Sequence, residues 1–382
     1  MVLLLAVACG VAVGNIYFPQ AISPLIATGL RVPPDTAALV VTAAQFGYAA
    51  GILLLVPLGD RFRHRPLIVT LLGVTGVSLF AASGAPGPAP LIAASALVGV
   101  VTVVAPLIAP MAAGLVSEDR RGAVTGTLLA GSIGGMLLSR AVGGALGEWL
   151  GWRAPYLLAG AASLLIAAIL ARTLPTTAPP AGRQPYPALL AASLRLLRTE
   201  PELRRSCFYQ ATVFGAFTAV WTGAALLLTG PAYGLGAQAV GLLALVNIAT
   251  MLATPAAGRQ VDRRGSDAVN LVCFLAVLVS AAVLALGGRG GAVGLAALVA
   301  GTLLLDVAMQ SGMVANQVRI WALRPEARSR LNTAYMVCAF LGGGLGSWAA
   351  TRAYPHLGWP GVTGLVAVLA TAGLARHLLR EK

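Results

Sequence analysis

Asp306 is the residue whose type and position invite chemistry most directly. It stands about 14 residues into an apolar run near 292–316 and about 13 before Arg319, close to the centre of a segment long enough to cross a bilayer. Thr302, Asp306, Gln310, Met313 and Gln317 follow one another at spacings of four, four, three and four, which puts them on one helix face. Hydrocarbon does not accept such a face, so it should look onto a water-filled cavity. A lone acid there can bind and release a proton, anchor a cationic solute or pair permanently with a base. Arg140 is the second ionisable residue inside an apolar run. It lies roughly 18 residues beyond Gly122, about 27 Å at the helical rise, which places it near the outer interface. From there it can snorkel to the headgroups, pair with Asp306 or hold an anionic solute.

Other chemistries find little footing. A membrane-embedded transferase needs His, Asp or Glu clusters near an interface, and none is present. No Walker loop appears, and no rings of selectivity groups suggest a channel. Cys9, Cys207, Cys273 and Cys338 are far apart, as are His64, His356 and His377, so neither a disulfide framework nor a metal site is expected. No cofactor is expected; a proton gradient is the expected driving force.

The elements that must position Asp306 and Arg140 follow from composition. Mean hydropathy is +0.85, with 58% hydrophobic and 10% charged residues, against about 25% charged in soluble domains. Such a chain has no polar surface to spare, and lipid is the solvent that tolerates it. The formal charge of +14 is confined to short segments between apolar runs, so no basic face for nucleic acid can assemble. Of the 26 basic residues only Lys382 is lysine, a bias that reads as the mark of a GC-rich bacterial genome.

Candidate spans lie near 2–30, 37–58, 66–85, 89–114, 123–147 and 154–171, then near 206–229, 238–257, 268–287, 292–316, 331–353 and 359–376. This predicts an all-α membrane protein of twelve helices. No positive segment precedes the first span, so it is not read as a signal peptide; the abrupt start suggests slight trimming. With both termini cytoplasmic, 21 basic residues fall in inner loops and the tail, and only Arg31, Arg153, Arg289 and Arg352 fall outside. The expected location is the bacterial inner membrane. Between the two sets of spans, 173–205 carries Pro175, Pro179, Pro180, Pro185 and Pro187, a linker signature. Its 188–197 portion turns apolar and then basic, which predicts a short amphipathic helix on the inner surface. The expected units are therefore 1–172 and 206–382, each a six-helix bundle, joined by 173–205.

Three features of the first half recur in the second. Asp60-Arg61 and Asp262-Arg263 are offset by 202; Glu118 and Glu326, inside Ser117–Gly122 and Pro325–Arg330, by 208; Gly151-Trp152 and Gly358-Trp359 by 207. Paired six-helix bundles are known from secondary transporters, with the solute site between the halves.

The segment from Gly258 through Asp262, Arg263 and Gly265 resembles the G-x-x-x-D-R-x-G signature of the major facilitator superfamily. Pro57 to Arg65 resembles it in the first half, with Val56 and Arg63 at the two glycine positions. Asn15 to Gln20, Gly151-Trp152-Arg153 and Asp306 to Gln317 are similar to a bacterial branch described as drug- or sugar-efflux permeases. The resemblance covers essentially the whole chain and implies that fold, with two pseudo-symmetric bundles. It also implies a conformational latch formed by Asp60, Arg61, Gly258, Asp262 and Arg263. Helices that line the pore in this superfamily would contribute Asn15, Tyr17 and Gln20, then Gln45 and Tyr48, then Gln210, Phe214, Phe217 and Trp221, then Asn332 and Tyr335. Aromatic groups with few charges suit an amphipathic solute. The fifth span carries Gly126, Gly131, Gly134, Gly135, Gly143, Gly144 and Gly147 and resembles the antiporter motif of exporters, without its Gly-Pro pair.

The expected function is thus proton-coupled efflux of small amphipathic molecules by alternating access, with Asp306, Gln310 and Arg140 as coupling or substrate residues. An importer or facilitator on the same scaffold is the alternative. The expected partners are a small-molecule substrate and membrane lipid, with the chain acting as a monomer.

Overall fold

The computed structural model describes residues 1–175, 185–324 and 327–379. Pro179, Pro180, Arg183, Pro325, Glu326, Arg380 and Lys382 lie outside the described residues. The fold is all-helical. In the first half the helices are α1 (Val2–Leu30), α2 (Pro34–Leu55), α3 (His64–Ser83), α4 (Pro88–Val101), α5 (Ala105–Gly114), α6 (Glu118–Leu150) and α7 (Arg153–Thr173). A connecting helix α8 (Tyr186–Thr199) leads to α9 (Pro201–Thr229), α10 (Ala237–Val246), α11 (Thr250–Leu286), α12 (Gly291–Leu323) and α13 (Arg328–Leu378).

Ten of the described helical segments are long and apolar enough to cross a membrane. The last, Arg328–Leu378, is two crossings divided at Gly358, and the eighth crossing is made of α10 and the start of α11. Twelve crossings result, as the apolar runs predict. The breaks have a shared cause. Gly151 (φ 85°, ψ 161°), Gly265 (φ 81°, ψ 162°) and Gly358 (φ 60°, ψ −152°) occupy a region that only glycine enters without strain. Gly151 and Gly358 are the paired glycines of the repeated Gly-Trp. Each following indole is buried: Trp152 packs against Gly29, and Trp359 donates to the Leu284 carbonyl at 2.6 Å.

The duplication extends to backbone packing. A Cβ at Gly131 or Gly135 of α6 would fall within 3.0 Å of the carbonyl oxygens of Ala6 and Gly10 on α1. A Cβ at Gly342 or Gly346 of α13 would meet the carbonyls of Ala211 and Gly215 on α9 equally closely. The first partners are offset by 205 and the second by 211. The same small-x-x-x-small seam is therefore used twice, and it lets backbones approach where lipid supplies no hydrophobic drive.

Two further seams join the halves. Along α2 and α13, Thr42 and Ser347 hydroxyls lie 3.0 Å apart, the Phe46 ring covers Gly344, and Tyr48 meets Phe340 edge-on at 4.4 Å. Thr222 of α9 joins the same Ser347 hydroxyl at 3.1 Å. Along α6 and α10, Gly241 sits against the backbone of Arg140 and Ala141, and Glu148 accepts the Ala237 N–H at 2.7 Å. The carboxylate thereby caps an α10 N-terminus that has no side-chain cap of its own.

Helix α8 realises the predicted amphipathic segment. It buries Leu189, Ser193 and Leu196, exposes Arg195 and Arg198, and is tied to α2 by the Tyr186 hydroxyl donating to the Leu54 carbonyl at 2.6 Å. At the same arginine-rich end, Asp267 accepts from Arg205 at 2.8 Å and from Arg319, while the Tyr209 hydroxyl lies 3.1 Å from His377 Nδ1. Those contacts bind α9, α11, α12 and α13 together.

Close glycine packing is directly testable. Gly135→Val and Gly346→Val should each lower the unfolding temperature in detergent, corresponding to about 1–3 kcal/mol of overpacking. Gly134→Ala, with no atom within 4 Å of its added Cβ, should leave it unchanged. Similar behaviour of all three variants would contradict the seam.

Candidate functional site

The two ionisable residues inside the membrane come together. Arg140 on α6 and Asp306 on α12 belong to different halves, yet each acts electrostatically on the other. They are not in direct contact: among the described residues, the ion pairs within 4.0 Å all lie elsewhere. Trp221 of α9 stands between them. Its indole face lies 4.3 Å from the Arg140 Cζ, and its Nε1–H donates to Asp306 Oδ1 at 3.4 Å.

The two charges have different surroundings. Gln20 Oε1 accepts from Arg140 Nε at 2.8 Å, and the rings of Tyr17 and Phe217 lie 4.9 and 5.5 Å from the guanidinium carbon. On the other side, Asn247 Nδ2 donates to Asp306 Oδ2 at 2.8 Å. Arg140 and Gln20 have no exposure and Asp306 has 2%, so the cluster is closed. Several buried atoms find no hydrogen-bond partner among the described residues: Arg140 Nη1 and Nη2, Gln20 Nε2, Asn247 Oδ1 and Gln310 Oε1. Native proteins leave few such groups unpaired.

The expectation that Arg140 snorkels to the headgroups is corrected: its side chain has no exposure. Helix α6 runs 33 residues from Glu118 to Leu150, about 50 Å and longer than the hydrocarbon core, and a count along it does not say which face is buried. Arg140 lies ten residues from the far end, about 15 Å in, and it faces inward.

Of the predicted cavity residues, Tyr17, Gln20, Phe217 and Trp221 surround the charges. The others serve elsewhere. Asn15 donates to Thr102 at 3.3 Å and to Ser163 at 3.4 Å, holding α1 against the fourth and sixth crossings. Gln210 accepts from the Tyr335 hydroxyl at 2.8 Å, linking α9 to α13. Phe214 stacks on Phe217 at 5.5 Å, and Tyr48 packs on Phe340 in the α2–α13 seam. Gln45 is buried with both polar atoms unpartnered among the described residues, and Asn332 Oδ1 is likewise unpartnered.

The sequence reading missed Asn247. Its signal was a carboxamide interrupting an apolar span, where the helix tightens into a 3₁₀ turn at Asn247–Ala249, a common mark of a functional position. Of the latch residues, Asp60 lines one small recess between the 3₁₀ turn after α2, α8 and α13, where Arg330 is within its electrostatic reach. Arg61 is exposed. Gly258, Asp262 and Arg263 lie in the last helical turns before Gly265 rather than in a loop, and both charged side chains are exposed. Beyond the glycine break, Asp267 takes the ionic contacts instead.

Two related sets of six crossings closed around a buried acid and base define a membrane transporter architecture. The chain belongs to the Major Facilitator Superfamily, whose family model matches residues 3–320. It is 35% identical over 376 residues to the "Uncharacterized transporter YgaY" of Escherichia coli O157:H7, covering 98% of this chain and 94% of that one. It is also 35% identical over 378 residues to the "Probable transporter SCO4007" of Streptomyces coelicolor, covering 99% and 86%. In fold it is similar to a crystal structure of a variant of the nucleoside transporter NupG, with a TM-score of 0.82, 15% identity and 98% of each chain covered. Transporter relatives and family together indicate a transporter rather than an enzyme.

The mutual dependence of the two charges can be measured. Arg140→Gln or Asp306→Asn alone leaves the other charge without its counterpart, and the double variant leaves neither. The double variant should be less destabilised than the two singles summed, by about 0.5–3 kcal/mol. Additive losses in thermal unfolding would show that the charges are independent.

Proposed function

We propose that the protein is a proton-coupled exporter of small amphipathic molecules that works by alternating access in a bacterial inner membrane, with both termini cytoplasmic. The observation that carries this reading is Asp306, an acid in a dry pocket, held by one half of the molecule opposite an arginine held by the other. Ionised, it complements a cationic group; protonated, it is neutral and no longer does so. A proton and a solute then compete for one carboxylate, which is the elementary requirement for exchange. The α2–α13 and α6–α10 seams are the surfaces that must part in turn, and the glycine contacts within each half keep its helices moving together. Glycine-rich α6, packed closely on α1, supports export, as the resemblance to the exporter motif does. Asp60, with Arg330 in the same recess, serves as a latch on the cytoplasmic side.

Transport screened in membrane vesicles tests both parts. Solute should accumulate in inverted vesicles under an imposed proton gradient and not in right-side-out ones; the reverse pattern contradicts export. Asp306→Asn should insert normally and lose gradient-driven accumulation, and full gradient-driven transport by that variant removes Asp306 from the coupling role. Asp60→Asn should slow transport severalfold without loss of protein from the membrane; unchanged rates would remove it from the latch.

A further inference from the structure

The orphaned polar atoms around Trp221 are sorted by chemistry. Arg140 donates its Nε–H to Gln20 Oε1, which fixes the Gln20 carboxamide with its nitrogen as the spare group. On that side the unpartnered atoms are Arg140 Nη1, Nη2 and Gln20 Nε2, all donors. On the other side, Asn247 gives its Nδ2–H to the Asp306 carboxylate, which fixes Oδ1 as the spare group. There the unpartnered atom is Asn247 Oδ1, an acceptor, and Gln310, one helical turn beyond Asp306 on α12, also has an unpartnered carboxamide oxygen. Each Asp306 oxygen carries one hydrogen bond and keeps acceptor capacity. Trp221 bridges the two sides, its face on Arg140 and its Nε1–H on Asp306, with the Phe217 ring beside the guanidinium.

We infer that this pocket recognises a zwitterion of the amino-acid type. Its anionic group is held by Arg140 and Gln20, its ammonium by Asp306 and Asn247, and its apolar part rests on Trp221 and Phe217. Charge balance selects this class. Arg140 and Asp306 cancel in net charge but do not touch, so each presents an unneutralised half-site in a dry environment. A simple cation would satisfy Asp306 and crowd Arg140; a simple anion would do the opposite. A neutral molecule with separated charges completes both, and bidentate binding of a carboxylate suits a guanidinium with both Nη groups free.

The inference rests on the transporter reading above and adds a consequence to it. When the ammonium leaves, a proton takes its place on the Asp306 carboxylate. Exchange of one zwitterion for one proton moves one net positive charge across the membrane. A cation exchanged for one proton would move none.

The test uses the purified full-length protein and the twenty standard amino acids, each of those without a charged side chain being compared with its amide (a cation) and its N-acetyl derivative (an anion). Thermal-shift titration should find at least one amino acid that binds about tenfold or more tightly than both derivatives, in line with the strength of charge-assisted pairs. Arg140→Gln should erase that preference. Tighter binding of an amide or an N-acetyl form than of every zwitterion overturns the inference, as does the absence of binding by all twenty. In proteoliposomes, a potassium diffusion potential should drive the binding amino acid against protons. If an amide binds and moves protons, proton coupling stands and the zwitterion assignment falls. If an amino acid binds and no proton moves, the assignment stands and coupling falls.

Discussion

The structure turns on two opposite charges buried near each other among membrane-spanning helices without touching. A charged side chain at the centre of a spanning helix costs about 2.5–3.5 kcal/mol by insertion scales. The chain spends further residues on making the cost tolerable. Three aromatic rings surround the guanidinium of Arg140, and Gln20 takes its Nε–H. The carboxylate of Asp306 receives one hydrogen bond from Trp221 and one from Asn247. What is left unsatisfied is the outward edge of each group. A direct ion pair would be more stable and would have nothing left with which to recognise a solute.

Holding those charges apart requires four helices from two halves to meet with little latitude. Arg140 comes from α6, and Gln20 from α1, whose backbones are brought together by the Ala6/Gly10 and Gly131/Gly135 contacts. Trp221 comes from α9, seated against α13 by the equivalent contacts of Ala211/Gly215 with Gly342/Gly346. The duplicated seam thus positions one half of the pocket in each bundle. The contacts between halves are of a different kind: hydroxyl pairs, a ring over a glycine, and a carboxylate capping a helix end. Single hydrogen bonds of this sort are each worth about 0.5–1.5 kcal/mol, which suits surfaces that must separate.

Much of this was legible in the residues. Length and hydropathy gave the twelve crossings, because nothing but lipid accepts the composition. The Gly-Trp repeat marked two helix breaks that the backbone confirms at Gly151 and Gly358. Asp306 stood out as an acid in an apolar run. Facing was harder to read. Arg140 turns inward with no exposure, which a residue count along α6 does not reveal. Asn247 follows α10, a helix from which the resemblance drew no pore residue, although a carboxamide in hydrocarbon carries the same kind of message. Gln210 and Tyr335 satisfy each other, and Asn15 satisfies Thr102 and Ser163. Only coordinates separate polar groups that tie helices together from those that remain available.

The account depends on Asp306 exchanging a proton while buried. Infrared difference spectroscopy of the reconstituted protein measures this without a known solute. Lowering the pH should raise a carboxylic-acid C=O stretch that is reversible, shifts in heavy water and is missing in Asp306→Asn. A spectrum in which no such band appears over the range where the protein stays folded, or in which the band survives in Asp306→Asn, would contradict it.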